Sequence, residues 1–325
     1  MSAAESKPRE RNTTGAIGCA RTRRRVIARL KGGLGNQLFE YAAARRLALV
    51  NHAELVLDDV SGFARDFRYR RQFALDGFNV AGRRATAAER LEPFWRYRRA
   101  FMRWVSQRKD YANRSYLEEE SPCFDARLIE IRLRRSVHID GIWASERYFS
   151  DIASTIRKDL TMRPPRDEFS KQVASEIRVR PSVGLHMRYF GKSERTAAHN
   201  LPIAYYEHAV ALMQERCVGG HYFVFSDDPA RAREHLRPHV PQATFVSRSG
   251  DDHNAYSELW LLSQCRHFII ANSTFSWWGA WLGAAPDKQV FAPCLVTETR
   301  SAPSWNFPIE ILPTWTTVYC DPHSA

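Results

Sequence analysis

The chain has 325 residues, 44% of them hydrophobic and 12% aromatic, enough material for two α/β cores rather than one. Its 48 Lys and Arg against 36 Asp and Glu give a formal net charge of +12 and a pI of about 9.7, which calls for an anionic partner: nucleic acid, a phospholipid surface or a phosphorylated substrate. No stretch approaches the roughly 20 uninterrupted apolar residues of a membrane helix. Residues 1–24 are polar and Arg-rich without the apolar segment of a secretory signal, so a disordered basic leader on a soluble, cytoplasmic protein is expected. Cys19, Cys123, Cys217, Cys265, Cys294 and Cys320 form no C-x-x-C pair, which argues against a zinc ribbon or a disulfide framework.

In chain order, Val26–Leu30 reads as a strand and Lys31-Gly32-Gly33-Leu34-Gly35-Asn36-Gln37 as a glycine turn. The helical spacing of Leu38, Phe39, Tyr41, Ala42, Leu47 and Leu49 follows. Leu55-Val56-Leu57 is a second strand ending in Asp58-Asp59. The stretch from Phe63 to Glu120, rich in Arg and aromatics, reads as helix with loops. Val137–Trp143 predicts a strand and Arg147–Leu160 a helix. Arg163-Pro164-Pro165-Arg166 signals a linker, which divides the chain into an N-terminal domain over 25–165 and a C-terminal domain over 178–325. The second domain opens with the strand Ser182–His186. Then come a helix from Ile203 to Arg216, a strand Tyr222–Ser226, a helix Asp228–Leu236, a short strand at Phe245-Val246, a helix Asn254–Cys265, and a strand His267–Asn272 leading into a helix Ser273–Leu282. Strands alternating with helices imply parallel sheets in both halves.

In such sheets ligands sit at the carboxyl ends of strands, where helix N-termini present backbone N–H groups. Gly33, Gly35 and Asn36 suit close approach of a phosphate, or else only a tight strand-to-helix turn. Arg188, with His186 at the end of its strand, suits a diphosphate clamp, or else a surface ion pair. Asn272, Ser273, Thr274 and Ser276 place hydroxyls and N–H groups at one helix N-terminus, where capping accounts for one of the four residues. Asp227 and Asp228 suit guanine N–H groups or ribose hydroxyls, or equally a helix cap. Trp277-Trp278 reads as core packing against the sheet.

Three segments, in this order, carry a family resemblance: Gly32–Ala42 with Leu57-Asp58 downstream, Gly141–Phe149, and Ile270–Leu282. Together they resemble the α-1,2-fucosyltransferases of glycosyltransferase family 11 over nearly the whole chain from Arg25. The resemblance implies a GT-B fold, two Rossmann-like domains facing across a cleft, with GDP held by the C-terminal half and most of the acceptor by the N-terminal half. It implies inverting transfer of L-fucose from GDP-fucose to a glycan hydroxyl, O2 of galactose, with no metal and no cofactor, in keeping with the lack of a D-x-D motif. It assigns the diphosphate to Arg188, helped by Asn36, the backbone near Gly35, Ser273, Thr274 and Ser276.

The family's H-x-R-R-G-D-Y reads here His186-Met187-Arg188-Tyr189-Phe190-Gly191-Lys192, so a second arginine and an acid are missing. Lys192 or Arg195 would replace the lost charge. Glu194 is the first candidate for the base, with His199 and Asp58 as alternatives. The rival readings are a transferase for another GDP-deoxysugar and a catalytically silent sugar- or nucleotide-binding relative. A nucleic-acid partner would explain the charge but not the glycine turn. The acceptor is a glycan, with a lipid-linked one and peripheral contact with anionic membrane compatible with the basic surface.

Overall fold

The structure is a computed structural model that describes residues 23–190, 199–247, 254–295 and 309–320. Its first sheet begins with β1 (Arg25–Arg29), whose three central residues are buried, followed by helix α1 (Leu34–Val50) and β2 (Glu54–Asp58). β3 (Arg83–Arg84), α2 (Trp95–Ser106), β4 (Tyr116–Glu118), α3 (Ala126–Glu130), β5 (Val137–Asp140) and α4 (Ala153–Asp159) complete it. All its strand pairs are parallel, in the order β3-β2-β1-β5-β4.

Departures from expectation here arise where polar side chains take up the chain in place of regular structure. The predicted strand 137–143 stops at Asp140, because Glu119 accepts the backbone N–H groups of Ile142 and Trp143 at 2.7 and 2.9 Å. That bond pair turns the chain, and Trp143 takes a positive φ of 57°. Between Phe63 and Glu120 the chain is mostly irregular, and arginine–carboxylate pairs rather than helix hold it down. Arg83 reaches both Glu54 and Glu89, at 2.9 and 2.7 Å. The predicted helix 147–160 is two short 3-10 turns followed by α4.

α5 (Glu168–Val179), capped by Asp167, precedes the second sheet. That sheet is built from β6 (Ser182–Met187), α6 (Ile203–Arg216), β7 (His221–Ser226), α7 (Pro229–Leu236), β8 (Thr244–Phe245), α8 (Ala255–Gln264), β9 (His267–Ile269), α9 (Thr274–Leu282), β10 (Val290–Leu295) and β11 (Thr316–Cys320). Its order is β11-β10-β9-β6-β7-β8, again parallel throughout. Neither β10, which contains Pro293, nor β11 at the sheet edge was foreseen from the sequence, since both depart from a clean strand pattern.

The two sheets share one continuous hydrophobic core. α1 is buried on nearly every side because α9 packs against the face turned away from its own sheet. Phe39 meets Trp277 and Trp278 at ring-centroid distances of 4.6 and 4.9 Å, and Phe149 stacks on Trp278 at 5.5 Å. The tryptophan pair is core, as its sequence suggested, but the core it fills lies between the halves. Across the join Trp281 Nε1 donates to Glu146 at 2.7 Å and Glu310 N to the Ala144 carbonyl at 3.2 Å, and Trp277 Nε1 holds the Glu310 carbonyl. Hydrophobic burial of this extent fixes the relation of the two glycine- and serine-bearing helix starts.

Candidate active site

α1 and α9 start against each other. A Cβ on Gly35 would lie 2.5 Å from the Phe275 nitrogen and the Thr274 carbonyl carbon, so only glycine permits this approach. Thr274 Oγ1 donates to Asn36 Oδ1 at 2.8 Å and joins the two helix starts by a hydrogen bond. Neither helix has a side-chain cap: Gly33 precedes α1 and Ser273 precedes α9, and the Ser273 hydroxyl makes no capping bond. Their first N–H groups and both positive dipole ends are therefore turned on one place.

That place is a cavity of about 240 Å³ lined by Gly33, Gly35, Asn36, Arg71, His186, Arg188, Phe190, Asp227, Glu258, Asn272, Ser273 and Thr274 among others. It follows the carboxyl ends of β9, β6 and β7, adjacent strands that span about 10 Å. Arg188, directly after β6, pairs with Asp227 at 3.1 Å, and both side chains remain about a fifth exposed. Burial raises the Asp227 carboxyl from its usual value against the pull of Arg188. Burial, with Arg188 beside it, lowers His186 to about 3, so its imidazole is neutral. His186 Nδ1 and Asn272 Oδ1 are buried without a protein partner among the described residues. An orphaned imidazole nitrogen and an orphaned amide oxygen in a pocket wall suit a polar ligand.

Two residues that sequence reading did not single out complete the cavity. Arg71 comes from the first half, and its guanidinium lies over Gly33, 3.4 Å from where a Cβ would stand. Gln37 brings it there: its amide donates to the carbonyls of Gly32 and Gln72 and accepts from Ala74 N, which staples residues 72–74 to the glycine turn. Glu258, in the first turn of α8, is pushed up to about 7 by burial, with Ser247 as its hydrogen-bond partner. Nothing in the local sequence marks Arg71 among its neighbouring arginines, and Glu258 sits in an apolar helix pattern. A glutamate at an otherwise buried helix position was the available signal.

Other sequence candidates stand elsewhere. Asp58 is buried and its carboxylate accepts from Val60 N, Ser61 N and the Ser61 hydroxyl, which commits it to the turn after β2. Asp228 caps α7 through Arg231 N and does not line the cavity. Ser276 is fully buried, its hydroxyl donating to the carbonyls of Ala271 and Ser273. His199 lies behind the wall, its carbonyl accepting from Asn272 and its ring against Phe190. Tyr189, at the position of the missing family arginine, faces away: its hydroxyl meets Met187 Sδ and His235. Glu194, Lys192 and Arg195 lie outside the described residues. A second cavity of about 680 Å³, lined by Asp59, Phe63, Asp66, Phe67, Arg70 and Phe73, shares Arg71 with the first.

Two parallel α/β sheets, with uncapped helix N-termini from both converging on one cavity, define a GT-B glycosyltransferase architecture. The family model described as Glycosyl transferase family 11 matches residues 25–306, and the chain belongs to that family. It is 29% identical over 268 residues to an alpha-1,2-colitosyltransferase of Escherichia coli, covering 79% of this chain and 87% of that protein. It is 30% identical over 289 residues to the O-antigen biosynthesis glycosyltransferase WbnK of Escherichia coli, covering 81% and 92%. Among solved structures, the fucosyltransferase NodZ from Bradyrhizobium aligns at 16% identity over 83% of this chain and 94% of that one, with a TM-score of 0.44.

Proposed function

We propose that the protein transfers L-fucose from GDP-fucose to a glycan hydroxyl, O2 of galactose, with inversion and without a metal. The observation that carries this reading is the convergence on one cavity of two uncapped helix starts, Arg188, Arg71 and the carboxyl of Glu258. A diphosphate fits beside the helix starts and the two arginines, because N–H groups, dipoles and guanidinium groups all favour negative charge there. Guanine suits the Glu258 carboxyl: its N1–H and exocyclic amine present two donors side by side, which one carboxylate can accept. The chemistry follows from this placement. As the glycosidic bond to the β-phosphate breaks, charge grows on the leaving oxygen, and preorganised donors stabilise it without reorganising. Arg71 takes over, from the other domain, the charge that the family's second arginine would bring.

The acceptor belongs in the neighbouring cavity, where Phe63, Phe67 and Phe73 offer apolar faces for a sugar ring and Asp59 a carboxylate. Asp59 replaces Asp58 in the proposal for the base, alongside Glu194, because Asp59 lines the larger cavity whereas Asp58 is bonded into the turn after β2. A second donor, GDP-colitose, is favoured by the colitosyltransferase relative and by the changed H-x-R-Y-F segment. Calorimetric titration with GDP, GDP-fucose, GDP-colitose and GDP-mannose, followed by product analysis on galactose-terminated acceptors, decides between donors. Absence of GDP binding overturns the proposal, and turnover of GDP-colitose alone replaces fucose in it. Turnover by the Asp59→Asn and Glu194→Gln variants at the unaltered rate would remove both from the base role.

A further inference from the structure

α2 is built inside out. In a surface helix the apolar stripe faces the core and the charges face water, yet here Tyr97, Phe101 and Trp104 are 74%, 64% and 52% exposed, and Phe94 at the helix start is 72% exposed. These positions recur at spacings of three, four and three, which places them on one stripe. The inward side is polar instead. Arg99 is buried and donates to Ser61 Oγ at 2.6 Å, Arg103 pairs with Glu118 at 2.8 Å, and Ser106 accepts Tyr116 N at 3.1 Å. The arginines thus attach the helix and leave the aromatic stripe facing solvent.

The flanks of the stripe carry one sign of charge. From Trp95 to Lys109 there is no Asp or Glu. With Arg99 and Arg103 turned inward, the exposed Arg96, Arg98 and Arg108 stand beside the aromatics, and the Arg108 guanidinium lies 3.6 Å over the Trp104 ring. A helix about 18 Å long with an aromatic stripe between cations is the form that lies in the headgroup region of an anionic bilayer. Tryptophan and tyrosine suit that region because one edge is apolar and the other wet.

We propose that α2 is a membrane-docking helix, in which Phe94, Tyr97, Phe101 and Trp104 enter the interface of an anionic phospholipid bilayer and Arg96, Arg98 and Arg108 meet its headgroups. The position has a consequence for the acceptor. Arg99 ties α2 to Ser61, beside the Asp59 and Val60 wall of the larger cavity, so docking holds that cavity near the lipid surface. A glycan carried on a lipid would then reach it without leaving the membrane. The inference does not depend on the identity of the donor.

Co-sedimentation of the full chain with vesicles tests it, using phosphatidylcholine alone and an equal mixture of phosphatidylcholine and phosphatidylglycerol. The mixed vesicles should retain the protein, and rising salt should release it. The triple variant Tyr97→Ser, Phe101→Ser, Trp104→Ser should lower partition at least about tenfold. Removing Arg96, Arg98 and Arg108 by serine should lower it roughly fivefold for each arginine. Both sets should keep the folded far-UV circular dichroism spectrum, because these side chains are more exposed than buried or lie on the helix surface in the free protein. Equal retention on neutral vesicles, undiminished retention of the aromatic variant, or a concentration-dependent dimer by light scattering that this variant abolishes would each overturn the proposal.

Discussion

The assignment of Glu258 to the base of the nucleotide makes a pH prediction with a defined direction. Burial pushes its carboxyl up to about 7 in the free protein, whereas guanine donors select the ionised form. Affinity is then full above this value and lost as pH falls through it. The carboxylate fraction drops from about nine-tenths at pH 8 to about one-tenth at pH 6, so the dissociation constant should rise about tenfold, or roughly 1.4 kcal/mol, over that range. GDP is a poor probe because its terminal phosphate also titrates near pH 6. GDP-fucose is the proper one, its diphosphate being esterified at both ends. His186 does not interfere, since it titrates at about 3. Calorimetry with GDP-fucose at several pH values, on the wild type and on Glu258→Gln, gives the answer. The variant should bind about 1.5–3 kcal/mol more weakly at pH 8, the loss expected for hydrogen bonds to a charged partner, roughly 10- to 150-fold. It should also lose the pH dependence. A wild-type constant flat between these pH values, or the same slope in the variant, would refute the reasoning.

Other outcomes follow from the same geometry. Arg188→Ala should lower kcat/KM by about 10²- to 10³-fold, as for loss of one preorganised donor to a developing oxyanion, and Arg188→Lys should recover only part of it. Arg71→Ala should weaken GDP-fucose binding although the residue lies in the other domain; unchanged affinity would remove it from the donor site. Gly35→Ala places a methyl against backbone of Thr274 and Phe275, so thermal unfolding should show about 1–3 kcal/mol of destabilisation together with loss of nucleotide affinity. Ser276→Ala removes a buried hydroxyl that bonds only local carbonyls, so stability should fall by about 0.5–1.5 kcal/mol while kcat stays near wild type.

Much of the fold was legible along the chain, because β6, α6, β7, α7 and α9 carry the period of their own structure and end on turn or cap residues. α6 is found over Ile203–Arg216 as read. Elements that escaped, β3 of two residues, β10 with its proline and β11 among them, have a weak local pattern, and the end of β5 is cut short by Glu119. The site divides in the same way. Gly33, Gly35, Asn36, Arg188, Asp227, Asn272, Ser273 and Thr274 line the cavity and stand at strand ends or helix starts, positions that sequence can locate. Asp58, Asp228 and Ser276 looked equivalent, yet their side chains are taken up by a turn, a cap and the backbone. Which of two neighbouring acids is spent locally depends on a rotamer that no linear pattern encodes.

By itself, then, the sequence determined the two parallel sheets and the polar clusters at their carboxyl ends, since these follow from periodicity and from turn chemistry. Only tertiary structure decided that the two helix starts meet, because Gly35 and the Phe39–Trp277–Trp278 packing act across more than two hundred residues of chain. It also decided that Arg71 and Glu258 join them and that the aromatic stripe of α2 faces outward. Those outcomes rest on which surfaces are buried against each other, and burial is a property of the assembled fold.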